Sequence, residues 1–279
     1  MPTTLSGMYW DSQGPLDGPP VLLIEGYTGQ LIGWREEFCA MLTAKGLRVL
    51  RMDNRDIGLS RHEPEGTTYS IADMADDVRE VLDDAGIDKA TIIGQSMGGL
   101  IAQHVALNHP DRVAGLVLFY TTPTINYVSD GVFQSDIVIP QTHAEAIDVF
   151  LAGNRDTASP AYAYDEATQR LLASRMYVRN PDQSGIPRQR NAVRQMPDLS
   201  DRLTKITVPV ALIHGRDDAL ISAQGSLRIA EQVPQAELHL YPGLGHEIAK
   251  ALWPDFVAVI ERTVRRSVVQ SKFSAAATD

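Results

Sequence analysis

Short apolar runs at 21–24, 47–52, 91–93, 113–119, 210–214 and 236–241 are bounded by glycine, proline and acidic turn residues. They are β-branched or leucine-rich, as expected of strands covered on both faces. Between them, 34–45, 71–85, 97–108, 226–232 and 256–268 carry apolar residues at helical spacing. The clearest stretch is 71–85, where Ile71, Met74, Ala75, Val78, Val81 and Leu82 share one face. The order is βαβαβαβ, a break, then βαβα, which predicts an α/β fold with a mostly parallel central sheet and helices on both faces.

The break, at 122–205, has no long apolar strand. It carries Phe150, Tyr162, Tyr164 and Tyr177 together with several arginines. About 80 residues is too long for a plain connection, so the segment is expected to be an inserted helical cap. The expected organisation is a core formed by 1–121 and 206–270, a cap at 122–205, and a small, polar, flexible tail at 271–279.

The chain has 279 residues, enough for one large domain with an insertion. A formal charge of −10 disfavours nucleic acid or an anionic membrane as partner, since either needs an extended basic surface. Cys39 is the only cysteine, which excludes an intrachain disulfide and a cysteine-based zinc cluster. Residues 1–11 carry no basic stretch followed by an apolar core, and no apolar run approaches the roughly 20 residues of a membrane span. A cytoplasmic protein acting on a small molecule is expected, with no membrane span, no metal and no cofactor; a homodimer is left open.

Gly94-Gln95-Ser96-Met97-Gly98 matches G-x-S-x-G and is followed by Gly99. Chance alone supplies roughly 0.1 such matches in a chain this long, so context decides. The match follows an apolar strand and opens a helical stretch, the strand–turn–helix setting of a nucleophile elbow. A strained serine at such a turn needs small neighbours, and the helix aims unsatisfied N–H groups at the site.

A serine hydroxyl needs a base and an acid that orients the base. His62 precedes the serine. His104 and His109 lie on or at the end of the following helix, His143 in the expected cap, His214 at a strand end and His239 within a strand. His246 remains, in the glycine-rich turn Pro242-Gly243-Leu244-Gly245-His246 after the last strand. Asp217 and Asp218 both follow the 210–214 strand and are both candidates for the acid.

These residues resemble the α/β-hydrolase superfamily over nearly the whole chain, in particular actinobacterial esterases and lipases, including methyl-ester esterases of aromatic polyketide pathways. The likeness rests on Gly26-Tyr27-Thr28-Gly29 with Trp34, on the segment from Asp53 to Ser60, and on His214-Gly215-Arg216-Asp217-Asp218 with Gly243-Leu244-Gly245-His246. It implies the α/β-hydrolase fold and favours Asp218 over Asp217, through the spacing Gly-x-x-Asp-x-Leu-Ile. It further implies that the backbone N–H groups of Tyr27 and Met97 form the oxyanion hole. Relatives usually carry histidine where this chain has Glu25. That residue is expected to brace the loop, or alternatively to face the pocket with a raised pKa; Trp34 is the other pocket candidate. Asp53, Arg55 and Asp56 are expected to form a local salt-bridge knot.

The reaction expected is hydrolysis of a small or medium apolar ester, thioester or lactone through an acyl-enzyme on Ser96. Rival readings are carbon–carbon bond hydrolysis, perhydrolysis, or a hydrolase-like ligand receptor. A dehalogenase is disfavoured, because that branch has aspartate where this chain has Ser96.

Overall fold

The structure is a computed structural model that describes residues 3–134 and 136–276, with the backbone alone for 271–276. Seven strands form one sheet in the order β1-β3-β2-β4-β5-β6-β7. They are β1 (Trp10–Gln13), β2 (Pro20–Ile24), β3 (Arg48–Met52), β4 (Ala90–Gln95), β5 (Val113–Phe119), β6 (Val210–Gly215) and β7 (Ala236–Tyr241). All neighbours are parallel except β1, which pairs antiparallel with β3 at the edge. The six longer strands fall on the apolar runs. β1 was not anticipated: it is four residues long and mixes Trp10 with Asp11 and Ser12, so it lacks the run of apolar residues that marks a strand buried on both faces.

Helices cover both faces and separate two apolar layers. On one side α2 (Ile71–Asp84), α3 (Met97–Asn108) and α8 (Gln224–Gln232) pack on Leu22, Leu50, Ile92 and Leu116. On the other, α1 (Glu36–Thr43) and α9 (Trp253–Ala276) pack on Leu23, Val49, Ile93 and Val117. The adjacent residues Leu22 and Leu23 therefore feed opposite layers, the period-two consequence of a strand buried on both sides. α2 starts sharply because Ser70 and Asp73 form a reciprocal capping box. α9 runs to Ala276, past the start of the expected tail, and residues 277–279 lie outside the described residues.

Between β5 and β6 lie the short α4 (Gly131–Gln134) and the cap helices α5 (His143–Asp156), α6 (Glu166–Arg179) and α7 (Ile186–Arg194). Thr142 and Asp165 cap α5 and α6 through side-chain acceptors. No described helix is long and apolar enough to cross a membrane.

Candidate active site

The chain crosses from β4 into α3 through Ser96, which has φ 53° and ψ −119°. A non-glycine residue with positive φ in this region stores about 1–3 kcal/mol of strain and persists only where its surroundings impose it. Here they do. A Cβ on Gly94 would lie 2.1 Å from the Gly98 carbonyl oxygen, and one on Gly98 would lie 2.3 Å from that of Ile24. The two glycines of the motif therefore let α3 start directly against the ends of β2 and β4. The loop after β2 crosses close by: a Cβ on Gly26 would sit 3.3 Å from Ser96 Cβ. Among the described residues the N–H groups of Tyr27 and Met97 make no backbone hydrogen bond.

His246 stands in the turn between β7 and α9, and the cap holds that turn. The His246 N–H donates to the Thr157 carbonyl (2.9 Å), Gly245 N–H to Ser159 Oγ (2.9 Å), and Ala161 N–H to the Gly243 carbonyl (3.1 Å). The His246 ring is fixed from the sheet side: Nδ1 lies 2.7 Å from Asp218 Oδ2. Because a carboxylate only accepts, Nδ1 carries the proton and Nε2 is left with a lone pair.

Asp218 is itself tightly held. Its Oδ1 accepts the backbone N–H groups of Leu220 (2.8 Å) and Ile221 (2.9 Å), which turns Oδ2 towards His246. Burial alone would raise its pKa, but hydrogen bonds from His214, His246 and the Ile221 N–H, joined by the charge of His246 when that ring is protonated, outweigh it and hold the carboxyl well below the usual range. Asp217 points elsewhere, its Oδ2 accepting from Gly243 N–H at 2.6 Å. The two aspartates thus have separate tasks, one facing the imidazole and one closing the turn that carries it.

The other histidines have their own surroundings. His62 lies 3.1 Å from Asp182, His109 2.6 Å from Asp76, and His239 beside Glu237. His143 stacks on Tyr177, and His104 is buried in α3. His214 is closer to the site than its strand-end position suggested. Its Nε2 lies 3.0 Å from the Ile221 carbonyl and 3.3 Å from Asp218 Oδ2, while Nδ1 lies 2.7 Å from Ser226 Oγ.

A cavity of about 840 Å³ opens over Ser96 and His246. Gly26 and Tyr27 border it on the loop side, and Phe150, Leu172, Met176 and Tyr177 on the cap side, with Arg35, Arg190 and Trp253 at further points of the wall. Glu25 and Trp34 also border it, yet both are almost wholly buried, at 5% and 1% exposure. Trp34 stacks on Phe38 and meets Phe119 edge-on, which makes it part of the rigid back wall. Glu25 Oε2 accepts from Gly26 N–H (3.2 Å) and Gln95 Nε2 (2.5 Å). Burial pushes its pKa up to about 8 against these hydrogen bonds, with Asp53 raising it further. No group of three or more His, Cys, Asp or Glu residues able to hold a metal ion occurs among the described residues.

The expectation of a local knot at Asp53, Arg55 and Asp56 is corrected. Their partners come from other elements: Arg55 pairs with Asp77 of α2 (2.6 Å), Asp53 with Arg179 of α6 (2.6 Å), and Asp56 with Arg188 of α7 (2.8 Å). The segment is a clasp between core and cap. Two of the cap arginines are therefore anchored on buried carboxylates, while Arg170 and Arg175 keep exposed pairs with Glu166 and Glu36.

The family profile described as serine aminopeptidase, S33, matches residues 20–250. The chain belongs to this α/β-hydrolase family. A putative carbamate hydrolase, RutD, of Variovorax paradoxus is 31% identical over 86% of this hydrolase and 89% of its own length. A 2-hydroxy-6-oxononadienedioate/2-hydroxy-6-oxononatrienedioate hydrolase of Dechloromonas aromatica is 30% identical, over 74% and 72% respectively. Among solved structures, the enol-lactonase of Burkholderia xenovorans superposes with a TM-score of 0.76 at 20% identity, covering 94% of this hydrolase and 98% of that chain. That likeness concerns the fold. These relatives are hydrolases of different bonds, so family membership leaves the substrate of this hydrolase undetermined.

Three side chains beside the candidate site are given no role by the sequence. His214 lies four residues before Asp218, a spacing that could have been noticed. Gln95 and Tyr120 carry no pattern of their own, although with Glu25 they occupy the carboxyl ends of the adjacent strands β2, β4 and β5.

Proposed function

We propose that the hydrolase cleaves small or medium apolar carboxylic esters, including thioesters and lactones, through an acyl-enzyme on Ser96. The observation that carries the reading is the Asp218–His246 hydrogen bond of 2.7 Å, which fixes the imidazole tautomer in the same cavity as a serine strained at φ 53°. His246 Nε2 accepts the Ser96 proton as Oγ attacks the carbonyl carbon, and Asp218 stabilises the resulting imidazolium. The carbonyl oxygen, now negative, is received by the N–H groups of Tyr27 and Met97, each worth about 3 kcal/mol in the transition state. His246 returns the proton to the departing alkoxide. Water, deprotonated by the same imidazole, then releases the acid and restores Ser96.

An apolar acyl or alcohol group is supported by Phe150, Leu172 and Met176 on the cap side of the cavity. The resemblance to actinobacterial esterases, methyl-ester esterases among them, supports the same class. The organisation proposed is a core of 1–121 and 206–270 with a cap of 122–205. A second reading, hydrolysis of a carbon–carbon bond in a dienone acid, is favoured by the relative at 30% identity. A panel of p-nitrophenyl esters of increasing acyl length against vinylogous diketo acids decides between them. Ester turnover at least a hundredfold faster is expected; turnover of the diketo acids alone would overturn the ester reading.

A further inference from the structure

Glu25 is a buried carboxyl group in the wall of a site whose chemistry does not consume it, and its connections run to every part of that site. Its Oε2 accepts the Gly26 N–H, whose residue lies against Ser96 and precedes Tyr27. The same oxygen accepts from Gln95 Nε2 at 2.5 Å, and Gln95 is the residue immediately before Ser96. Gln95 Oε1 in turn accepts a short hydrogen bond from the Tyr120 hydroxyl. The Tyr120 ring, held at φ 33°, packs at 4.4 Å against the His246 ring. The space around the carboxyl is tailored: a Cβ on Gly29 would fall 2.5 Å from Oε2, and one on Gly33 would fall 2.4 Å from Oε1. Glycine at both positions is what admits a glutamate beneath this loop.

We propose that Glu25 is a positioning residue whose one carboxyl oxygen ties the loop of the Tyr27 N–H to the nucleophile's strand and, through Gln95 and Tyr120, to the face of His246. The proposal rests on the assignment of Ser96, His246 and the Tyr27 N–H to the reaction. The groups that face Glu25 are Asp53 at the end of β3, Arg35 at the start of α1, Cys39 within α1 and Tyr120 at the end of β5. Burial pushes Cys39 up to about 12 and Tyr120 well above its usual range, so both stay neutral. Arg179 offsets Asp53 through their 2.6 Å pair.

The neutral carboxyl is then the working form. Oε2 accepts two N–H groups, so the proton resides on Oε1, which has no protein partner among the described residues. Its loss, near pH 8, places a negative charge one residue from an oxyanion donor in a water-poor site. The charge opposes the developing oxyanion and favours the imidazolium. The first effect prevails, because Gly26 touches both Glu25 and Ser96, whereas His246 is reached only through Gln95 and Tyr120. Activity is expected to fall as pH rises through about 8.

The test is the pH profile of kcat/KM for p-nitrophenyl acetate with the full-length wild type, Glu25→Gln and Tyr120→Phe, each checked for fluorophosphonate labelling of Ser96. Glutamine keeps a carbonyl oxygen for the two donors and cannot ionise. Glu25→Gln is expected to retain neutral-pH activity within roughly tenfold and to lose the decline centred near pH 8. Tyr120→Phe removes a bond that orients Gln95, weakens the Gln95 donation to the carboxylate, and is expected to move the decline to higher pH. The same decline in wild type and Glu25→Gln overturns the proposal. If Glu25→Gln does not fold, an unshifted decline in Tyr120→Phe overturns it. A wild type that hydrolyses the ester without labelling at Ser96 would instead refute the assignment of the nucleophile.

Discussion

Asp217 and Asp218 are chemically identical neighbours, and the turn after β6 gives them different work. Backbone donors from Leu220 and Ile221 occupy Oδ1 of Asp218 and leave Oδ2 for His246, whereas Asp217 closes the Gly243 turn. Asp218→Asn retains the shape but presents an amide to Nδ1 and promotes the wrong tautomer, so kcat is expected to drop by roughly 10³–10⁴. Asp217→Asn should cost less than about tenfold, because an amide oxygen still accepts from Gly243 N–H. Steady-state kinetics of the two variants checks the division; equal losses would contradict it. The turns that carry Ser96 and His246 were legible because glycines and strand ends mark them. The spacing Gly-x-x-Asp-x-Leu-Ile already favoured Asp218 over Asp217; what it could not show is the reason, the backbone donors that turn one carboxylate towards His246 and the other towards Gly243. Glu25, Gln95 and Tyr120 were not legible as a group, since 70 residues separate the first pair and only sheet order brings the three strand ends together.

At the scale of elements, the cap and the loop of the Tyr27 N–H share a joint. Gln189 of α7 is fully buried; its Oε1 accepts from Thr28 N–H (3.1 Å) and its Nε2 donates to the Arg55 carbonyl (2.9 Å). Thr28 adopts φ 65°, so the loop is bent into a conformation that this side chain helps to hold. Gln30 continues the joint by donating to the Met176 carbonyl of α6 (2.9 Å). Gln189→Leu would strand a buried donor and a buried acceptor, at about 1–3 kcal/mol each. It is expected to lower the urea midpoint and, if the Tyr27 N–H receives the oxyanion as proposed, to reduce kcat more than it raises KM. A loss confined to KM would show that the joint serves only the cavity wall. The cap itself was legible from its length and its want of strands. The clasp was not, because Arg179 and Arg188 read as ordinary charged helix residues until the fold sets them on Asp53 and Asp56.

For the molecule as a whole, the apolar runs specified the sheet because the parallel strands β2 to β6 are buried on both faces, while β7, at the edge, is only partly covered. The edge strand β1 and the last turns of α9 escaped because their sequences are mixed. The buried His104 also predicts an acid sensitivity. His104 is buried in α3 with no partner for either ring nitrogen among the described residues. Burial, assisted by Arg202, lowers its pKa to about 4. The unfolded chain therefore takes up a proton that the folded chain refuses as pH falls from the ordinary 6.5 towards 4, and stability is lost across that window. The slope from this residue is at most about 1.4 kcal/mol per pH unit. His104→Leu is expected to flatten it, measured as the change in urea midpoint between pH 7 and pH 5; an unchanged slope would assign the sensitivity to other groups.

The central proposal is that Ser96 is the nucleophile. Treatment of the intact protein with a fluorophosphonate, followed by mass spectrometry of the digest, tests that claim most directly. A single adduct on the peptide bearing Ser96, lost in Ser96→Ala and strongly slowed in His246→Ala, is the predicted result. An adduct on any other residue, or none in a folded protein that still hydrolyses esters, would contradict it.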